Sequence, residues 1–245
     1  MKDEKTKAVI SLFDLTGEAV KPWAEAGYDC YIFDAQHPDG ITFSAQRYKS
    51  RSTLLINTVG GDASTWAEPI ARIMEVYDVQ MLYGFPPCTD LAISGAGWFK
   101  AKAEANPNYL AEAMALVYLV RDIGEQYNVP YMIENPVSVI SSEWRKPDHI
   151  FQPCHYGQYL PEDDTSPYPD IIPARDAYTK KTCLWTGNGF VMPEARPVEP
   201  VKYQDRNGLN YSGPAWKLGG RSLRTKNIRS ATPRGFARAV FLANA

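Results

Sequence analysis

One cysteine, Cys88, stands in the run MLYGFPPCTDLAISGAG (81–97). Residues 79–83 read as a short apolar strand, and the Gly-Phe-Pro-Pro segment after them as a tight turn. Two prolines fix φ and withhold backbone donors, so the turn continues neither a helix nor a central strand. A thiol on a stiff loop at a strand end is placed for nucleophilic chemistry, whereas free cysteines elsewhere are usually small buried hydrophobes. A second apolar strand, 130–133, runs into Glu134-Asn135-Pro136. A carboxylate there can give or take a proton, or cap its own strand end.

A third stretch has a cofactor-site layout. Residues 7–13 (KAVISLF) read as a buried strand, 14–17 as a turn, and 18–26 as a helix that Gly27 ends, a suitable C-terminal cap. Residues 28–33 form the next strand and lead to Asp34. Backbone amides at such a turn, with a carboxylate at the second strand's end, can hold a ribose and adenine. The turn is not GxGxxG, and Gly17 alone specifies no particular cofactor.

The elements that must position these groups repeat as strand, turn, helix. A strand at 53–59 closes on Gly60-Gly61-Asp62. Helical spacing follows at 66–77, and the longest amphipathic helix spans 109–127, with Leu110, Met114, Val117 and Val120 or Arg121 along one face. This alternation predicts an α/β, Rossmann-like fold with a mostly parallel sheet and helices on both faces. Ligands in such sheets lie beyond the carboxyl ends of the strands. Asp14 to Gly17, Asp34, Asp62, Cys88 and Glu134 all fall at those ends.

After Pro136 the texture changes. Residues 137–230 read as irregular, with one more strand at 180–185 (KKTCLW), an Asn-Gly turn at 207–208, and a final helix at 234–244 behind Pro233. The 245 residues read as a single catalytic domain, with its core at 7–136 plus that helix. The net charge is −2, but between Lys202 and Arg238 nine Lys or Arg face one acid, Asp205. A basic tail on an acidic body points to a phosphate-bearing partner. Four scattered cysteines make no disulfide framework, and Cys154-His155 with Cys183 fits no zinc spacing, so no metal is expected. His37, His149 and His155 read as structural or exposed, and the tryptophans as packing. The charged start, followed by an apolar run too short for a signal or a membrane span, points to a cytoplasmic protein without membrane contact.

The chain resembles the DNA cytosine-C5 methyltransferases, in a short form of the kind found in phages. SLFDLTGEAVKPWAEAGY (11–28) lines up without gaps with that family's cofactor motif, DLFSGxGGxxxxxxxAGF, through Leu12, Phe13, Gly17, Ala26 and Gly27. GFPPCTDLAISGAG resembles its nucleophile loop, GxPPCQxFSxAG, and Ile133-Glu134-Asn135-Pro136 its Glu-Asn-Val motif. Thr182 to Trp185 and the last helix match the family's final motifs loosely. The resemblance implies the methyltransferase form of the fold, S-adenosylmethionine as cofactor, and DNA or a cytosine nucleotide as substrate. If the chain is phage-encoded, its place is the host cytoplasm. Cys88 would be the thiolate that adds to cytosine C6, and Glu134 the group that holds the N3 and N4 edge. Phe13, Asp14, Thr16, Gly17, Asp34, Asp62 and Pro86 would line the cofactor. Pro87, Asn135, Lys180, Lys181, Arg221, Arg224 and Lys226 would meet the substrate.

The chain also departs from the family. Ser11 stands for an Asp, Leu15 and Glu18 for glycines, Thr89 for a Gln and Pro136 for a Val. The arginine motif that buttresses the flipped base is missing, with only Lys180 and Lys181 near its place. About 40 residues separate Phe190 from Ser230, too few for a subdomain that reads duplex sequence. Modification of a free cytosine nucleotide and a non-catalytic nucleic-acid binder therefore stay open, and no protein partner is specified.

Overall fold

The computed structural model describes residues 5–47, 53–204, 208, 210–212, 218 and 222–245. The first strand, β1 (Lys7–Leu12), pairs in parallel with β2 (Asp29–Phe33) on one side and β5 (Asp78–Gly84) on the other. Beyond β2 lie β4 (Thr53–Val59), parallel, and β3 (Ile41–Arg47), an antiparallel edge. Beyond β5 lie β6 (Tyr131–Pro136), parallel, then β8 (Thr182–Gly187) and β7 (His149–Phe151), both antiparallel to their neighbours. The order β3-β4-β2-β1-β5-β6-β8-β7 makes one eight-stranded, mostly parallel α/β sheet of Rossmann-like type. The chain leaves β1 toward β2 and β4, then returns to its other side for β5. That reversal opens a crevice between the carboxyl ends of β1 and β5.

Side chains alternate across the sheet because a strand repeats every two residues. From β1, Ala8, Ile10 and Leu12 enter the core under α2 (Ala67–Val76) and α4 (Tyr109–Tyr127), together with Ile70, Ile73, Met114, Val117 and Val120. Val9, Ile32 and Met81 enter the opposite core, under α1 (Lys21–Glu25) and the C-terminal helix. Helices thus cover both faces, as the alternation predicts. Trp23 of α1 is fully buried, and its Nε1 donates to the Tyr83 hydroxyl at 2.8 Å, tying that helix to β5. The remaining helices are α3 (Phe99–Ala105), α5 (Ile140–Glu143), α6 (Leu223–Ser230) and α7 (Arg234–Asn244). No helix among the described residues is long and apolar enough to cross a membrane.

The structure corrects several expected boundaries. The helix at 18–26 begins only at Lys21. Gly17 is left-handed (φ +68°) and its carbonyl accepts from Val20 and Lys21, so the chain first makes a turn. Glu134, Asn135 and Pro136 belong to β6 rather than following it, because antiparallel β8 extends the pairing to Pro136 opposite Thr182. Residues 137–230 hold more order than their composition suggests: β7, β8, α6 and a small hairpin of β9 (Tyr203–Gln204) with β10 (Asn210–Tyr211). Of the Asn-Gly turn, Gly208 has φ +77° and Asn207 lies outside the described residues.

Tyr131 shows how tightly β6 is clamped. A Cβ added at Gly124 of α4 would lie 2.3 Å from its ring, and one at Gly187 of β8 would also lie 2.3 Å away, while its hydroxyl donates to Glu125 at 3.0 Å. The ring has no direction in which to yield. Gly124→Ala would gain about 1 kcal/mol of helix propensity in an open helix, but overpacking of about 1–3 kcal/mol outweighs it here. The expected outcome is a lower urea midpoint for G124A at an unchanged m value.

Candidate active site

The turn after β1 is held from within. Phe13 is itself left-handed (φ 61°), an uncommon conformation for an aromatic residue, and its ring leans on Trp66 at 5.2 Å. Asp14 is buried, and its carboxylate accepts from the Gly17 amide (2.8 Å), the Thr16 amide (3.1 Å) and the Ser11 hydroxyl (2.8 Å). Burial pushes its carboxyl up, and these bonds oppose the push. The turn amides of Thr16 and Gly17 are therefore engaged by Asp14. The Asp14 carboxylate is a strut that shapes the turn, and Ser11 is part of the strut.

Asp34 and Asp62 lie at the ends of adjacent strands. Asp34 accepts from the Gln36 amide through Oδ1, and its Oδ2 makes no hydrogen bond among the described residues. Asp62 caps the short turn Ala63–Thr65, accepting from the Ser64 amide, which holds its exposed carboxyl below the usual range. An adenosyl group fits the chemistry of this rim, since the open oxygen of Asp34 suits a ribose hydroxyl and the Phe13 ring borders the same end of the sheet. Among the described residues, no group of three His, Cys, Asp or Glu is arranged to hold a metal ion. His155 instead makes a capping pair with Gln152.

On the other side of the crevice, β5 delivers Pro86, Pro87 and Cys88. Cys88 is exposed, while Cys30, Cys154 and Cys183 are buried. Its loop is fastened to the end of β6 and to the segment after it. Asn135 Nδ2 donates to the Pro86 carbonyl at 2.9 Å, Ala92 bridges to Ser138, Ile93 N donates to Val137 O, and Val139 N to Leu91 O. Farther along the loop, Lys102 Nζ binds the Thr89 carbonyl at 2.6 Å and the Asp90 carboxylate at 2.7 Å. Buried Asn135 keeps its Oδ1 without a hydrogen bond among the described residues.

Glu134, half-buried, pairs with Lys180 Nζ at 3.5 Å. These two groups and Arg229 of α6 set the field at the Cys88 thiol. Crowding around the sulfur pushes the thiol up, Glu134 pushes it further, and Lys180 and Arg229 pull it down. The structure thus brings Cys88, Glu134, Asn135, Lys180, Pro86 and Pro87 to one end of the sheet. Lys181 is exposed and its charge acts on Cys183 rather than pairing with Glu134. Arg224 and Lys226 are exposed on α6, and Arg221 lies outside the described residues. Arg234, one of the nine basic residues of the tail, is closed off by a two-pronged pair with Asp164 at 2.7 Å. Arg229 was visible only as part of that basic count, because the helix carrying it has no strong periodic signal.

Compared with models of known protein families and with curated proteins, the chain matches none.

Since only Cys88 of the four thiols is exposed, alkylation reports on it selectively. Removing a cation that lowers the thiol's pKa must slow the reaction, and removing the anion that raises it must speed it. At pH 8, Lys180→Met is expected to react more slowly with iodoacetamide than the wild type, and Glu134→Gln faster. Cys88→Ala should leave only background labelling.

Proposed function

We propose that the chain is an S-adenosylmethionine-dependent methyltransferase acting on C5 of cytosine in DNA through a covalent bond from Cys88 to C6. The observation that carries this reading is a loop tied to a strand end: one exposed thiol and one half-buried carboxylate, fixed at the same crevice by the Asn135–Pro86 bond, with Lys180 acting on both charges. Cytosine C5 is a poor nucleophile, and addition at C6 is the way a thiol makes it a good one.

In this reading the Cys88 thiolate forms the S–C6 bond, and the C5=C6 electron pair moves into the ring. Glu134 holds the N3 and N4 edge and favours protonation there as negative charge gathers in the ring, and Lys180 keeps that carboxylate oriented. S-adenosylmethionine, when bound, supplies an electrophilic methyl group for C5. Loss of the C5 proton then restores the ring, and the S–C6 bond breaks to return the thiolate to Cys88. The residues that would hold the cofactor are Asp34, Asp62, Phe13 and the Thr16–Gly17 turn, with Pro86 at its methyl end. The base must leave any stack to reach Cys88. Exposed Arg224, Lys226 and Arg229, with no acid partner among the described residues, favour a polymer with phosphodiesters over a free nucleotide.

A second reading, a non-catalytic binder of nucleic acid, is favoured by one observation, the capture of the Thr16 and Gly17 amides by Asp14. Trapping decides between them. With DNA containing 5-fluorocytosine and S-adenosylmethionine, the wild type is expected to form an adduct that survives denaturing gels, because fluorine at C5 cannot leave as a proton. Cys88→Ala should form none, and Glu134→Gln should form it about 10²–10⁴-fold more slowly. Because the thiol's pKa is raised, the rate should climb as pH rises above neutral. DNA binding without any adduct would establish the binder instead.

A further inference from the structure

The rim that carries Cys88 is apolar on its solvent side. Ala92 and Ser138 form an antiparallel bridge, and the Ile93 amide donates to the Val137 carbonyl at 3.0 Å. Ile93 and Val137 therefore stand opposite each other with their side chains on one face. Both are exposed, at 51 % and 38 %. The chain then coils through the short turn Ile93–Trp98 into α3. Trp98 lies one helical turn before Lys102, whose ammonium reaches back to the Thr89 carbonyl and the Asp90 carboxylate. That clasp keeps Trp98 close to the residues that follow the nucleophile. Trp23, Trp66 and Trp185 are buried in the cores, whereas Trp98, at 61 %, is the most exposed large hydrophobic side chain among the described residues.

The other flank of the thiol is cationic. Arg229 acts on Cys88 through its charge, which places α6 within electrostatic reach of the sulfur. Thr225 and Ile228 of α6 turn inward, and Ile228 packs with Ile172, Tyr178 and Leu218 in a small core of its own. Arg224, Lys226 and Arg229 are left on the outer face, and none has an acid partner among the described residues. The helix thus presents fixed positive charge beside the crevice.

Aromatic and aliphatic side chains on one flank suit the flat faces of bases, and cations on the other suit phosphates. In a duplex those faces are covered by stacking, whereas an unpaired strand offers them. We propose that the two flanks form a binding track for single-stranded DNA: a base next to the target cytosine stacks on Trp98 beside Ile93 and Val137, and the phosphates follow α6. The proposal rests on the reading of DNA as substrate and deepens it by naming the strand state. Trp98 lies one residue past the nucleophile-loop motif, so the family resemblance assigns it nothing. An unpaired cytosine also enters the crevice without the cost of leaving a paired stack. The short stretch between Phe190 and Ser230, too small to read a duplex, fits the same substrate.

Fluorescence anisotropy of the full chain, without cofactor, compares a labelled oligonucleotide alone with the same strand annealed to its complement. The single strand is expected to bind at least tenfold more tightly. Trp98→Ala should weaken the single strand about tenfold and leave the duplex unchanged, while Trp98→Phe, which keeps an aromatic face, restores most of the loss. Joint replacement of Arg224 and Lys226 by Met should weaken both forms and flatten their salt dependence, the mark of phosphate contacts. Equal affinity for the two forms, tighter binding of the duplex, or an equal loss for both in W98A overturns the proposal. An adduct with 5-fluorocytosine that forms faster on duplex than on single strand overturns it while leaving methyl transfer in place. Strand-selective, Trp98-dependent binding with no adduct on either form supports the track and overturns methyl transfer. Failure of the wild type to bind either form overturns both.

Discussion

The bond from the Asn135 carboxamide to the Pro86 carbonyl governs the geometry of the site. Pro86 cannot take part in a ladder through its nitrogen, so the loop carrying Cys88 would otherwise leave β5 with little to fix its direction. The bond is buried, at 2.9 Å, where a hydrogen bond has no water to compete with it. It joins the loop after β5 and the end of strand β6 into one rigid rim. The backbone pairs between 91–93 and 137–139 lengthen that rim. Cys88 and Glu134 therefore keep their relative placement without touching each other.

A second constraint acts from β8. Because β8 runs antiparallel to β6, the residues just before Thr182 arrive at the carboxyl end of β6. Lys180 reaches Glu134 for that reason alone. A parallel strand in the same place would have delivered its start to the far end of the sheet. Charge at the site is thus set by topology: one acid from β6, one lysine from the lead into β8, and one arginine from α6.

Much of this was legible in the sequence, and the limits have physical causes. The helices at 109–127 and 234–244 coincide with α4 and α7 because long amphipathic runs carry many repeats of the 3.6-residue signal. The strand expected at 53–59 coincides with β4, whereas β3 is absent from the expectation because ITFSAQR mixes polar residues into its alternation and lacks a continuous apolar run. Cys88 and Glu134 announced themselves by residue type and by position at strand ends. The Asn135–Pro86 bond, the Arg234–Asp164 pair and the engagement of Asp14 with Ser11 did not, since each depends on rotamers or on partners as far as 70 positions away. The same cause explains Asp14: a carboxylate in a glycine turn looks alike whether it faces a ligand or its own backbone.

The excursion between β6 and β8 has a further consequence. It departs from Pro136 and returns at Thr182, two residues paired across the same register. Its two feet stand side by side on the crevice, whatever happens between them. Lengthening such a closed loop costs entropy only logarithmically, so this stretch is a natural graft point. Extra modules inserted beside either foot, clear of β7, would hang directly over the reacting groups and leave the sheet beneath undisturbed.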